Sequence, residues 1–130
     1  DRTYQEFPRC DDRRIGRPYN FAYTVSFDNR SPQSLKNSTP CLIKHDLKNK
    51  SKNVLVFNEG EFPGEFVFIP KTDNSEEDNG WLMGFLIDWN KKVTDLLILD
   101  AKNINAAPVA TVKIPHVVPY GFHGNWRSGN

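Results

Sequence analysis

Between Phe21 and Phe27 apolar and small polar positions alternate: Phe21, Tyr23, Val25 and Phe27 share one parity, Ala22, Thr24 and Ser26 the other. Such period-two alternation marks a strand with one face on a core. "PCLIKHDL" and "NVLVF" are two more strand runs, separated by the polar "KNKSK", which reads as a hairpin loop. Four further apolar runs follow in succession: "EFVFIP" (65–70), "WLMGFLID" (81–88), "TDLLILD" (94–100) and "VATVKIP" (109–115). Loops rich in Asn, Asp, Ser and Gly separate them, and the longest, "KTDNSEEDNG", reads as a solvated acidic connection. No window carries a capped helical stripe; "DAKNINAA" has room for one helical turn after Asp100.

The last four runs, joined by short loops, predict one antiparallel meander sheet. The region from about residue 9 to 58 supplies three strands of a similar sheet. Two meanders in tandem are the sequence form of consecutive β-propeller blades. A sandwich or a barrel would give much the same string, so periodicity alone establishes only the all-β class. Two isolated blades would expose their flanking faces. The chain also opens at Asp1, with its only methionine at Met83. Both features point to a piece of something longer, a matured secreted domain being the alternative.

Charge removes some functions. Seventeen basic and sixteen acidic residues nearly cancel, so there is no electrostatic case for nucleic acid or an anionic membrane surface. No run approaches the about 18 apolar residues of a membrane-spanning helix, and no signal-peptide pattern opens the chain. Cys10 and Cys41 could pair, but two independent thiols in a reducing compartment is the simpler reading. Asn29, Asn37 and Asn49 head Asn-x-Ser/Thr triplets in polar loops, where such triplets arise by chance. The expectation is a cytoplasmic or organellar protein, not a secreted one.

The candidate chemistry gathers near the end, in "HVVPYGFHGNW". His123 stands between Gly121 and Gly124, after Pro119. This bracketing holds an imidazole in place and keeps bulk away from it, as a metal ligand or a catalytic base requires. His45, among Ile43 and Leu47, reads as a structural histidine, and His116 as a surface or turn residue. No CxxC or HExxH accompanies them. Glu65 opens the apolar run after Pro63-Gly64, and Glu6 lies beside Phe7 and Pro8. A carboxylate beside apolar residues needs hydrogen-bond partners. Those partners are backbone N–H groups at a strand end or the second N–H of a metal-bound histidine.

"EFPR", "GRPYNFAY", "IKHDL", "GEFVFIP", "EEDNGWLM", "LLILDAKN", "PVATVKIP" and "VPYGFHGNW" together resemble, in order and spacing, the end of the carotenoid cleavage oxygenases. That family includes apocarotenoid, carotenoid and lignostilbene dioxygenases and the animal retinoid isomerase. The resemblance runs from about Tyr4 to Trp126. It implies a seven-bladed β-propeller with iron(II) on its axis, held by four histidines from different blades. His123 matches the fourth ligand, in the terminal Gly-Phe-His-Gly motif. Glu6 and Glu65 match glutamates that hydrogen-bond ligand histidines, with Glu65 paired to His123. Phe66 stands where the family usually has Pro or Ala, and His45 and His116 match positions that are not ligands.

The function so implied is oxidative cleavage of a conjugated C=C bond in a carotenoid, apocarotenoid or stilbene, using dioxygen and no organic cofactor. Residues 1–130 would be about two blades plus the terminal ligand turn of a single propeller domain. Three ligand histidines would lie upstream, so the segment alone is expected to be inactive. Phe122, Trp126 and Tyr120 are candidate tunnel aromatics, with core packing an equal alternative. Peripheral membrane contact would come from regions outside this chain. Two other readings stand beside this one: a non-catalytic β-meander binding module, and a member that isomerises a retinoid without cleaving it.

Overall fold

The computed structural model describes residues 4–27 and 39–129. The first sheet is an antiparallel meander of β1 (Glu6–Arg9), β2 (Phe21–Ser26), β3 (Cys41–Asp46) and β4 (Ser51–Val56), in that spatial order. In the second, β5 (Glu61–Pro63) and β6 (Val67–Pro70) both pair with β7 (Gly80–Asp88). β7 in turn pairs with β8 (Val93–Asp100), and β8 with β9 (Ala110–Ile114). β5 and β6 are therefore two halves of one strand, interrupted at residues 64–66. The sheet is a four-position meander with a broken first strand.

The strands follow the apolar runs closely. The first region has four strands where alternation predicts three, because β1 is short and carries a proline. β5 is only three residues long and likewise has no alternation to announce it. Residues 101–107 form separate turns instead of the expected helical turn. Asn103 N donates to Asp100 O (3.2 Å) and Ala106 N to Asn103 O (3.1 Å). The Asn29 and Asn37 triplets lie outside the described residues; Asn49 sits in the exposed β3–β4 turn. Cys10 and Cys41 are free thiols. No helix among the described residues is long and apolar enough to cross a membrane.

One core joins the two sheets. Tyr23, Val25, Phe27 and Leu42 of the first meet Phe66, Phe68, Leu82, Leu97 and Leu99 of the second. Tyr23 stacks on Phe68, with centroids 5.9 Å apart and planes within 5°, an apolar contact of large area. The predicted parity of β2 holds for Tyr23, Val25 and Phe27, but Thr24 on the opposite face is also buried. It donates to Gln5 Oε1 (2.6 Å), which satisfies its hydroxyl.

The acidic connection between β6 and β7 is not merely solvated. Glu77 is buried and accepts from the backbone N–H of Phe21 (2.8 Å), at the start of β2. Asp78 pairs with the buried Lys44 of β3 (2.8 Å), whose ammonium also donates to Ala101 O (2.8 Å) and lies 4.5 Å above the Phe21 ring. These charges clamp one sheet to the other. A buried cation needs partners to offset its desolvation, and Asp78 of the loop and the Ala101 carbonyl after β8 provide them.

Candidate functional site

The first strand of each sheet is irregular, and each irregularity presents a glutamate. In β1, Glu6 pairs with Val25 and Arg9 with Tyr23, so Phe7 and Pro8 together face Thr24 alone. This is a bulge, and Phe7 takes φ +54°, a left-handed conformation that is costly for an aromatic residue. In the second sheet the chain leaves β5 at Gly64, whose N–H donates to Phe85 O (2.8 Å), and rejoins at Val67. Gly84 of β7 makes room for this detour. A Cβ there would lie 2.7 Å from the Glu65 carbonyl oxygen and 2.8 Å from the Phe66 ring.

The detour buries the Glu65 carboxylate, whose side chain is 5% exposed, and its partners among the described residues are all donors. Oε1 lies 3.1 Å from His123 Nδ1, and Arg9 Nε stands 3.0 Å away as an ion-pair contact that is not aligned as a hydrogen bond. Oε2 accepts from Gly124 N (2.7 Å) and from Arg9 Nη2 (3.3 Å). Arg9 also donates through Nη2 to the Gly124 carbonyl. A carboxylate ion-paired to a guanidinium only accepts. In the neutral imidazole the His123 proton therefore sits on Nδ1, which leaves the Nε2 lone pair available.

His123 belongs to residues 115–129, a strap without helix or strand that crosses the second sheet. Val118 N donates to the buried Thr94 hydroxyl (2.9 Å). The Tyr120 ring rests 6.0 Å from Phe27 and 6.2 Å from Phe62, and burial pushes its phenol up to about 12. Phe7 meets the imidazole edge-on, at 5.8 Å and 88°. The His123 side chain is otherwise open, 73% exposed. Under the strap lies a cavity of about 340 Å³ lined by Val67, Met83, Phe85, Leu96, Phe122 and His123. The walls are largely apolar, and His123, Glu65 and Asn125 bring polar side chains to the lining.

Glu65 and His123 are thus brought together from 58 positions apart. Glu6 is not brought to them: its carboxylate accepts from the Tyr4 hydroxyl. Phe122 lines the cavity but is 82% exposed, and Trp126 is 48% exposed. Core packing within this chain therefore accounts for neither. Neither Gly121 nor Gly124 has a positive φ, and a Cβ on either would meet nothing within 4 Å. The glycine bracketing of His123 therefore does not act through left-handed geometry; contacts to Glu65 and Phe7 hold the ring. His45 Nε2 contacts Gln5 Oε1 (2.8 Å) and Thr24 Oγ1 (3.0 Å), and burial, followed by the Lys52 charge, lowers its pKa. His116 is exposed. Arg9 escapes sequence reasoning: it stands in "EFPR", but its partner is 56 positions away.

An imidazole with Nδ1 held by a carboxylate and Nε2 free is the donor arrangement of a metal-ligating histidine. The residues present fit one coordination position. Among the described residues, no group of three or more His, Cys, Asp or Glu could hold an ion.

Comparison with known proteins defines the class first. The fold matches cobalt-substituted Synechocystis apocarotenoid oxygenase with a TM-score of 0.85 at 30% identity, over 98% of this chain and 26% of that one. An apocarotenoid oxygenase/RPE65 chimera matches with the same TM-score, identity and coverage. The two sheets are meander blades of this β-propeller fold. The family model described as RPE65, retinal pigment epithelial membrane protein, matches residues 1–128, and the chain belongs to this family of carotenoid cleavage oxygenases. Its curated relatives include the apocarotenoid-15,15'-oxygenase of Synechocystis, 31% identical over 93% of this chain and 24% of the relative. The carotenoid cleavage oxygenase of Mycobacterium tuberculosis is 38% identical over 97% and 25%. The carotenoid 9,10(9',10')-cleavage dioxygenase 1 of Arabidopsis thaliana is 31% identical over 91% and 23%. The chain spans about a quarter of the length of these relatives.

Proposed function

We propose that this chain is the C-terminal part of an iron(II) dioxygenase that cleaves a conjugated C=C bond of a carotenoid, apocarotenoid or stilbene to two carbonyl products. The observation that carries this reading is the Glu65–His123 pair with its free Nε2, in a chain whose relatives are carotenoid-cleaving oxygenases. His123 would hold the metal through Nε2, and Glu65 would fix its tautomer and ring orientation. Glu6 would support a ligand histidine contributed from outside these residues. Bound iron would supply the activation of dioxygen toward the electron-rich double bond. The chain's own residues would do the rest: the strap and the second sheet form an apolar wall beside the metal position, and Phe122 and Trp126 present aromatic surface for a polyene.

With one imidazole to offer, these 130 residues alone would be inactive. The test uses the full-length protein, loaded with Fe²⁺ and incubated with an apocarotenoid under air, with products separated and weighed. Two shorter carbonyl compounds and consumed oxygen are expected. Unshortened product with altered double-bond geometry would replace cleavage by isomerisation. No reaction with any polyene or stilbene, in protein that retains iron, would leave a binding module as the better reading.

A further inference from the structure

We propose that Arg9 is a positioning residue for the metal-ligating histidine, acting through Glu65. This rests on the reading of His123 as a ligand. Arg9 faces both Glu65 oxygens: Nη2 donates to Oε2 (3.3 Å), while Nε lies 3.0 Å from Oε1 as an ion-pair contact without hydrogen-bond alignment. The same Nη2 donates to the carbonyl of Gly124, the residue after the histidine. One guanidinium therefore touches the carboxylate that orients the imidazole and the backbone that carries it. Planar, forked donors suit this double task, which a point-charge ammonium cannot reproduce.

The contacts also join three separate parts of the chain: the β1 bulge, the β5–β6 interruption and the strap. Arg9 pairs with Tyr23 at the end of the bulge, whereas the interruption and the strap are irregular backbone without strand pairing. Without Arg9, Glu65 keeps the His123 and Gly124 donors, but its position along the detour is no longer fixed from the opposite sheet. The ring then turns with it. Arg13 provides an internal comparison. It forms a forked pair with Asp11, which is 1% exposed, through Nε (2.9 Å) and Nη2 (2.6 Å), and it makes no contact with Glu65 or His123 among the described residues.

The experiment titrates Co²⁺ into the metal-free full-length protein and follows the visible d–d absorption. Arg9→Met is expected to weaken Co²⁺ binding by about 10–100-fold, the usual effect of losing a group that supports a metal ligand. Arg9→Lys should recover part of that loss. Arg13→Met should lower the melting temperature and leave the Co²⁺ affinity unchanged. Because Arg9 acts through Glu65, the Arg9→Met/Glu65→Gln double variant should bind Co²⁺ no more weakly than Glu65→Gln alone. Unchanged affinity in Arg9→Met, equal losses in Arg9→Met and Arg13→Met, or additive losses in the double variant would each overturn the proposal. If Arg9→Met does not fold, Arg9→Gln, which keeps a donor, takes its place with the same criteria. A parent protein that takes up no Co²⁺ would overturn the iron reading itself, and this proposal with it.

Discussion

Glu-Phe-Pro opens the first strand of both sheets, as residues 6–8 and 61–63, yet the two strands deliver their glutamates very differently. In the first sheet the strand continues through a bulge, and Glu6 stays partly exposed, accepting from the Tyr4 hydroxyl. In the second, Pro63-Gly64 ends the strand, and a second glutamate, Glu65, turns inward to donors from Arg9, His123 and Gly124. What distinguishes the two carboxylates is burial among donors from three separate parts of the chain. Local sequence does not decide that; the room left by the neighbouring strand does.

The largest expected effect comes from emptying the deeper position. Glu65→Ala in the full-length protein leaves Arg9 without its carboxylate and His123 without its acceptor. Urea titration of the metal-free form should register a loss of about 3 kcal/mol, the scale for breaking a largely buried pair, together with loss of bound metal. Retention of both would remove the contrast between the two glutamates. Gly84→Ala is next, at about 2 kcal/mol, because its Cβ would press on the Glu65 carbonyl, which moves only with the whole detour. An unchanged midpoint would mean that β7 does not shape the detour. Glu6→Gln should shift metal-free stability by less than about 0.5 kcal/mol, the range of ordinary surface changes. Its metal affinity should still fall about tenfold if Glu6 supports a histidine outside this segment. Unaltered metal retention would withdraw that role.

The smallest effect concerns His45 of the first sheet, beside Gln5 and Thr24. The His45 pKa is lowered in the folded chain, by burial first and then by the Lys52 charge. The neutral ring is therefore the form the fold favours. Its contribution is present above the unfolded value of about 6.5 and fades as pH drops and the unfolded chain gains a proton the folded one resists. The melting temperature should decline from pH 7 to pH 5, and His45→Gln should flatten that decline. An identical slope in the variant would assign the acid sensitivity to other groups.

The alternating strands are legible in the order of residues alone, and so is the succession of the two meanders. β2 owes its placement to side-chain parity, and β8 to its apolar run. β1 and β5 are not legible as strands, since three or four residues with a proline carry no period. The site is half legible. His123 and Glu65 stand out because glycines and prolines punctuate them, but a sequence cannot display a contact between positions 9, 65 and 124. The inward turn of Glu77 and Asp78 is hidden for a related reason. In an acidic loop each carboxylate looks alike, and only the opposing Lys44 and the N–H groups at the start of β2 select the two that are drawn inward.

The span of the Arg9 contacts has a kinetic side. They close chain separations of 56 and 115 residues, so they form only after the sheets they bridge have paired, given the entropy of closing such loops. His123 is then among the last groups to reach its final place. Metal would load a finished receptacle and would not template the chain around itself. Refolding of the full-length protein, timed with and without Co²⁺, should proceed at the same rate, with the absorption of the bound ion appearing afterwards.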